Sequence, residues 1–223
     1  MKKLKVMTIV GTRPEIIRLS ECIKACDKYF DHVLVHTGQN WDYELNQVFF
    51  DDLGLPKPGY FLESAGDTLG ETIGNIIARS YGVLSKEMPD ALLVLGDTNS
   101  ALCAISAKRL KIPIFHMEAG NRCFDQNVPE ETNRKIVDHV SDVNLPYTEH
   151  SRRYLLEEGI KKENIFVTGS PMAEVLGKSR DKITAMWTLT QLSLKKDGNI
   201  HLTVTMAEKT TPEENVPSLM IPH

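Results

Sequence analysis

Residues 91–118 read ALLVLGDTNSALCAISAKRLKIPIFHME, which is a strand, a turn, a helix and a second strand in one continuous run. The pattern predicts a strand at Ala91–Leu95, a helix at Ser100–Leu110 and a strand at Ile112–His116. The run Leu-Leu-Val-Leu has the unbroken apolar character of a strand buried on both faces. Two strands joined by a crossover helix predict a parallel sheet with helices on both sides.

The same alternation occupies the first 170 or so residues. Further strands are predicted at Lys5–Val10, His32–His36, Val143–Pro146 and Asn164–Thr168, and further helices at Pro14–Lys28, Tyr43–Leu53, Leu69–Glu87, Glu130–Val140 and Thr148–Glu158. The predicted fold class is therefore α/β, a doubly wound Rossmann-like parallel sheet in residues 1–170. A crossover or linker region is expected at 171–198. Residues 199–223 contain three prolines and no clear periodicity beyond a strand-like start, and we expect an aberrant or disordered tail there.

Composition excludes several classes of partner. The chain has 223 residues, 41% of them apolar and 25% charged, with a net charge of −4. This charge gives no electrostatic reason to expect nucleic acid or a membrane surface as a partner. No apolar run reaches the roughly 20 residues of a membrane span, and the N-terminus lacks a signal-peptide pattern, so a cytoplasmic protein is expected. The four cysteines form no C-x-x-C pair and are expected to be reduced and structural, with no metal site, although Cys123 could be reactive.

Acidic side chains follow two predicted strands. Asp97 comes directly after the first strand quoted above, and Glu118 and Glu130 fall in the stretch 116–134, HMEAGNRCFDQNVPEETNR. The carboxyl ends of parallel strands share one edge of a sheet, so these three acids suggest proton transfer on a bound anion. Asp97 has an alternative role as the cap of the next helix.

Two polar turns follow the first two strands. Gly11-Thr-Arg-Pro-Glu15 begins a helix, and its backbone amides together with Arg13 would bind a carboxylate or phosphate. The alternative is an ordinary helix start with a surface arginine. His36-Thr-Gly-Gln-Asn40 is placed to meet a ligand hydroxyl or phosphate, whereas a satisfied structural histidine is the simpler interpretation of His36.

These motifs together resemble the non-hydrolysing UDP-N-acetylglucosamine 2-epimerases. The ordered set is Gly-Thr-Arg-Pro-Glu, His-Thr-Gly-Gln, Gly-Asp-Thr, His-Met-Glu-Ala-Gly and Pro-Glu-Glu-Thr-Asn-Arg, and the resemblance covers residues 3–185. Residues 121–126 and 128–139 look most like a capsule and O-antigen branch that leads to UDP-N-acetyl-L-fucosamine. The resemblance implies one half of a two-domain, GT-B-like architecture with the active site in the interdomain cleft.

The implied activity is an isomerase reaction that inverts C2 of a UDP-2-acetamido sugar. UDP leaves C1 while a base takes the C2 proton, and UDP adds back to the resulting glycal after a proton returns to the opposite face. No cofactor is implied. The substrate is either the UDP-GlcNAc/UDP-ManNAc pair or UDP-2-acetamido-2,6-dideoxy-L-talose, and a homodimer is implied by the full-length relatives.

The resemblance also implies roles for individual residues. The acid/base candidates are Asp97, Glu118 and Glu130, with Glu131 and Asp125 as alternates. Arg13 and Arg18 would bind the diphosphate or hold the acids. The remaining substrate-binding candidates are His36, Gln39, Asn40, Glu131 and Arg134, while Gln47 and Glu71 would lie near the substrate or a regulatory nucleotide.

The chain departs from the family pattern near its C-terminus. A strand ending in Ser-x-His-Arg-Glu-Glu is expected there, but residues 202–209 read LTVTMAEK. We expect a frameshift or truncation that replaces the second domain and its catalytic histidine. A catalytically inactive remnant or a partner-binding domain is therefore the rival interpretation. A retaining glycosyltransferase, and a hydrolysing epimerase that would accumulate UDP, are further alternatives.

Overall fold

The computed structural model describes residues 3–39 and 49–185. The strands are β1 (Lys5–Val10), β2 (Asp31–His36), β3 (Tyr60–Phe61), β4 (Ala91–Leu95), β5 (Ile114–Met117) and β6 (Val143–Leu145). The α-helices with complete bounds are α1 (Arg13–Tyr29), α2 (Leu69–Glu87), α3 (Cys103–Arg109), α4 (Pro129–Val140), α5 (Glu149–Glu157) and α6 (Met172–Ala185). Short 3-10 turns cover Asn99–Leu102 and Lys162–Asn164.

The six strands form one parallel sheet in the order β3-β2-β1-β4-β5-β6. This confirms the predicted doubly wound, Rossmann-like α/β class. The strand order reverses between β1 and β4, and ligands of such sheets bind outside the carboxyl ends of the strands at that switch point. The register pairs Leu95 of β4 with Met117 of β5, so the loops that follow these two strands begin side by side.

Alternation along the buried strands supplies two hydrophobic cores. Met7 and Ile9 of β1 pack with Ile76 of α2 and with residues of α3 and α4 on one face of the sheet. Val10 packs on the opposite face with Ile16 and other residues of α1. Burial on both faces explains why these strands read as unbroken apolar runs.

The structure differs from the predicted strands at two places. The strand predicted at Asn164–Thr168 is wrong: Lys162–Asn164 forms a 3-10 turn, and Ile165 makes only an isolated bridge to Asn144. The amides of Phe166 and Thr168 still donate to the carbonyls of Asn144 and Pro146 at 2.9 and 3.0 Å, but the segment does not form a strand of the sheet. Conversely, β3 was not predicted, because two residues are too few to show a period.

Contacts divide the chain into residues 1–175 and 176–223, and only 176–185 of the second unit are described, within α6. The predicted domain boundaries therefore stay predictions. The tail at 199–223 lies outside the described residues, as does most of the helix predicted at Tyr43–Leu53, of which 49–53 are helical. Across the described ranges, no helix is both long and apolar enough to span a bilayer.

Candidate active site

Glu118 lies at the carboxyl end of β5 and faces an arginine from α1. Its Oε2 accepts a hydrogen bond from Arg18 Nη1 at 2.6 Å. Its backbone is left-handed at φ +65°, a conformation that is uncommon for a residue with a side chain and that clusters at functional sites. Burial raises the pKa of Glu118, Arg18 opposes that rise, and the charge of Asp97 adds to it. This carboxyl is therefore poised to carry or release a proton.

Asp97 follows β4 and is held by a second arginine. Arg134 of α4 contacts Asp97 Oδ2 through Nε at 2.7 Å and through Nη2 at 2.6 Å. The Asp97 carbonyl accepts a hydrogen bond from Asn133 at 2.9 Å. Because β4 and β5 are neighbours, Asp97 and Glu118 come from adjacent loops, each carboxylate with its own arginine.

A cavity of about 490 Å³ opens beside Asp97. Glu130 contributes to it from the first turn of α4, and Gln39 contributes from the loop after β2. The full lining is Thr12, Gln39, Leu69, Thr72, Asp97, Thr98, Asn99, Pro129, Glu130 and Asn133. The structure therefore brings Asp97, Glu130 and Gln39 to one cavity, while Glu118 and Arg18 meet outside its lining.

The wall of this cavity is fixed by a buried carboxylate whose role the sequence analysis missed. Glu15 accepts hydrogen bonds from the amides of Gly11 and Thr12 at 2.9 and 2.8 Å. It also accepts hydrogen bonds from the hydroxyls of Thr98, at 2.9 Å, and Ser100. Burial raises the pKa of Glu15, and these hydrogen bonds oppose the rise. The capping spacing Thr-x-x-Glu at residues 12–15 was the available signal, but it does not reveal the link to the loop after β4.

The two predicted anion ligands near the first loops lie outside the cavity lining. Arg13 is exposed, and its guanidinium lies 5.7 Å from the centre of the Phe49 ring. His36 is buried, accepts a hydrogen bond from the Gly38 amide at 3.0 Å and stacks on Phe61. Burial lowers the pKa of His36 to about 4, so the ring is neutral. Predicted ligands Asn40 and Gln47 lie outside the described residues.

Glu131 is enclosed and holds the loop that precedes α4. Its carboxylate accepts hydrogen bonds from the amides of Cys123, at 3.1 Å, and Phe124, at 3.2 Å, and contacts Arg134 at 3.1 Å. Burial opposes its ionisation, but these contacts prevail and lower the pKa of Glu131 to about 2. The geometry therefore gives Glu131 a role in loop structure. The other alternate acid, Asp125, accepts hydrogen bonds from Asn127 in the same loop.

One residue near Glu118, Tyr147, carried no predicted role. Tyr147 has a buried hydroxyl with no hydrogen-bond partner among the described residues, and burial followed by the charge of Glu118 raises its pKa. The predicted ligand Glu71 caps α2, where its carboxylate accepts a hydrogen bond from the Asp67 amide at 2.8 Å. Within residues 3–39 and 49–185, no group of three or more His, Cys, Asp or Glu side chains is arranged to hold a metal ion.

Comparison with known proteins gives a consistent family. A family model described as UDP-N-acetylglucosamine 2-epimerase matches residues 24–218. The UDP-N-acetylglucosamine 2-epimerase of Methanocaldococcus jannaschii is 43% identical over 173 residues, which are 77% of this chain and 47% of that protein. The UDP-2,3-diacetamido-2,3-dideoxy-D-glucuronate 2-epimerase of Pseudomonas aeruginosa is 40% identical over 163 residues, 72% of this chain and 46% of the relative.

Solved structures agree with these relatives. The UDP-N-acetylglucosamine 2-epimerase structure from Rickettsia bellii is 61% identical, with a TM-score of 0.81 over 86% of this chain and 52% of its own. The Methanocaldococcus jannaschii enzyme in complex with UDP-GlcNAc and UDP is 39% identical, with a TM-score of 0.79 over 84% and 52% of the two chains. This chain therefore spans about half the length of the proteins that it matches here.

Proposed function

The chain belongs to the UDP-N-acetylglucosamine 2-epimerase family, and on that premise we propose that it carries the acid/base residues of an isomerase acting at C2 of a UDP-2-acetamido sugar. The observation that carries the proposal is the pair formed by Asp97 and Glu118. The two carboxylates lie on adjacent loops and each is bound to an arginine, and Asp97 also lines an open cavity. This arrangement suits proton transfer next to an anionic ligand.

The proposed reaction is an elimination followed by an addition. A base removes the C2 proton while the C1–O bond breaks, and UDP departs with the bonding electron pair. The intermediate is a 2-acetamidoglycal held beside UDP. A proton then reaches C2 from the opposite face and a phosphate oxygen of UDP re-forms the bond to C1, so atoms and charge balance without a redox cofactor.

The two faces of the sugar require groups on both sides. Glu118 is the strongest candidate for one face, because burial raises its pKa while Arg18 holds its carboxylate in place. Asp97 and Glu130, which line the cavity, are candidates for the other face. Arg18 and Arg134 would hold these acids in place and neutralise charge as the diphosphate leaves.

The substrate is proposed only as a class. Relatives named for different UDP sugars match this chain at 43% and 40% identity, so identity does not select one sugar. We retain UDP-GlcNAc and UDP-2-acetamido-2,6-dideoxy-L-talose, the latter on the way to UDP-N-acetyl-L-fucosamine for a capsule or O-antigen. A homodimer follows from the same resemblance and a cytoplasmic location from the composition of the chain, and both stay predictions.

Proton NMR in D2O tests the proposal on the purified chain. Incorporation of deuterium at C2 of UDP-GlcNAc, with or without the manno product, would support a working proton-transfer site. Accumulation of free UDP with N-acetylmannosamine would instead identify a hydrolysing epimerase. No exchange with either candidate sugar, from a protein that is folded by circular dichroism, would favour the inactive or partner-binding alternative.

A further inference from the structure

We propose that Asp138 is a positioning residue of this acid/base site, which locks the ends of β4 and β5 in register. The inference rests on the proposed function for its catalytic consequence, but not for its structural content. Asp138 lies on α4 with a fully buried side chain, behind the loops that carry Asp97 and Glu118. The five ordered motifs and the cavity lining do not include it, although it lies within the stretch 128–139 that resembles one branch of the family.

Asp138 reaches β4 through a histidine. Its Oδ1 lies 2.9 Å from Nδ1 of His116, and Nε2 of the same ring donates to the carbonyl oxygen of Gly96 at 2.8 Å. Gly96 directly precedes Asp97. The imidazole is 1% exposed and is held between the Asp138 carboxylate and the Gly96 carbonyl, so a displacement of Asp138 would be passed to the residue beside Asp97.

Asp138 also holds the turn after Glu118. Both carboxylate oxygens accept a hydrogen bond from the Gly120 amide, at 3.2 Å each. Oδ2 lies 2.7 Å from Nη1 of Arg122, whose side chain is fully buried. One carboxylate therefore anchors two points of a five-residue turn that begins with Glu118.

That turn has a backbone that needs such anchors. Glu118 and Gly120 both have positive φ, at +65° and +76°. A side-chain-bearing residue in the left-handed region persists only where surrounding contacts over-determine it. Asn121 adds a further anchor, because its amide donates to Glu118 Oε1 at 3.3 Å while its own oxygen accepts from Ser151 at 3.0 Å.

The charged groups around Asp138 favour a carboxylate that stays ionised, rather than one that gains and loses a proton during the reaction. Burial alone would raise the pKa of Asp138, but contacts with His116 and Arg122 prevail and lower it. Arg122 is also bound by both oxygens of Glu158, at 2.7 and 2.6 Å, on the side away from Asp138. Asp138 therefore stays ionised, and its function is to hold geometry.

The decisive variants are Asp138→Asn and His116→Gln. The first preserves shape and removes the charge, and the second keeps a donor towards Gly96 while removing the imidazole that faces Asp138. Leu84→Ala is the control, because it creates a cavity in the core near the end of α2, where Glu87 of the same helix contacts Lys5 at the start of β1. Circular dichroism and urea unfolding establish that each variant is folded.

Amide hydrogen exchange by NMR is the readout that needs no turnover. The Gly96 amide donates to Met117, and the Glu118 amide donates to Leu145, so both report the register of the strand ends. We expect both site variants to exchange about tenfold faster at these two amides, with the Leu92 amide unchanged. Unchanged exchange at Gly96 and Glu118, or a uniform rise like that of Leu84→Ala, would overturn the positioning role.

Kinetics supply the second readout. A catalytic carboxylate that is displaced by up to about 1 Å lowers turnover strongly. In both site variants we therefore expect kcat for C2 exchange to fall about 100-fold, while KM stays within about twofold of the wild-type value. A raised KM at unchanged kcat would contradict the proposal. If the wild-type chain exchanges no C2 proton, the proposed function fails, while the amide measurements still decide the role of Asp138.

Discussion

The convergence of the two site acids could be predicted from the sequence, but the contacts of individual acids could not. Asp97 and Glu118 were expected to converge, because residues that follow adjacent parallel strands share one edge of the sheet. The ion pair between Arg18 and Glu118 joins residues 100 positions apart, and sequence spacing carries no information about it. Glu131 shows the reverse case: an acid in the Pro-Glu-Glu motif turns inward and binds two loop amides.

Substitution of Glu118 by glutamine should separate catalysis from folding. Glu118→Gln keeps the shape of the side chain and an acceptor for Arg18 but removes the titrating group. A general acid or base typically contributes about 10²–10⁴-fold, and we expect a loss of C2 deuterium exchange in that range. NMR initial rates measure it. The control Glu149→Gln, at an exposed carboxylate on α5, should retain the full rate, and equal losses in both variants would contradict a catalytic role for Glu118.

His36 should impose an acid-dependent loss of stability. Its pKa falls from 6.5 to about 4 on burial, so the unfolded chain takes up a proton below pH 6.5 that the folded chain does not. The free energy of unfolding should therefore drop as pH falls from 6.5 to 4, and this contribution should level off below 4. At about 1.4 kcal/mol per pKa unit, the total is about 3 kcal/mol.

Urea unfolding across that pH range checks the prediction. His36→Gln retains an acceptor for the Gly38 amide and lacks the titrating ring, so its curve should be flatter between pH 6.5 and 4. His32, whose pKa burial also lowers, titrates in both proteins and cancels in the difference. Parallel curves for wild type and His36→Gln would show that His36 is not the responsible group.

At the scale of elements, long periodic segments were predictable and short ones were not. Leu69–Glu87 and Ala91–Leu95 have the predicted bounds, because Thr68 with Glu71 caps the helix and an unbroken apolar run marks the strand. The predicted helix at Ser100–Leu110 instead begins as a 3-10 turn at Asn99–Leu102 before α3. The segment predicted as a strand at Asn164–Thr168 has strand-like residues and donates two amide hydrogen bonds to Asn144 and Pro146, but it does not extend into a strand of the sheet.

The loop between β5 and α4 packs directly on α5, and a glycine permits this contact. A Cβ on Gly120 would lie 2.4 Å from the carbonyl oxygen of Ser151 and 2.8 Å from Leu155 Cγ. Gly159, just after α5, has a similar positive φ of +87° with nothing within 4 Å of its Cβ position. A side chain would strain the backbone at both glycines, but only at Gly120 would it also collide with α5.

Alanine substitution at these two positions should therefore give different costs. Gly159→Ala should lower the free energy of unfolding by about 1 kcal/mol, the usual cost of a left-handed alanine. Gly120→Ala should cost about 3 kcal/mol or more, because backbone must move as well. Urea midpoints with unchanged m-values measure the difference. Similar losses for the two variants would mean that the close approach of α5 to Gly120 is unimportant.

At the scale of the molecule, the sheet order explains why one edge carries the site. The topological switch lies between β1 and β4, and Glu15 joins the loops after these two strands through Thr98 and Ser100. The parallel order could be predicted from alternation alone. The arrangement of loops around the cavity could not, because it depends on buried hydrogen bonds between distant segments.

Residues 1–223 alone should catalyse C2 exchange less well than a protein of the full family length. This chain spans 52% of the Rickettsia bellii structure, and the family resemblance implies an active site in the cleft between two domains. The acids Asp97 and Glu118 are present here, so we expect UDP affinity, rather than the acid/base pair, to limit the isolated chain. Deuterium exchange at C2 should accordingly be slow for the chain alone.

Supplying the remaining half of the Rickettsia bellii protein as a separate chain should then restore activity. We expect tighter UDP binding by calorimetry and a C2 exchange rate at least about 100-fold higher, because the bound diphosphate would be held beside acids that are already in place. The same mixture with Glu118→Gln should gain UDP binding but not exchange. Restored UDP binding without exchange in the wild-type mixture would place the defect in the acid/base pair itself and contradict the prediction.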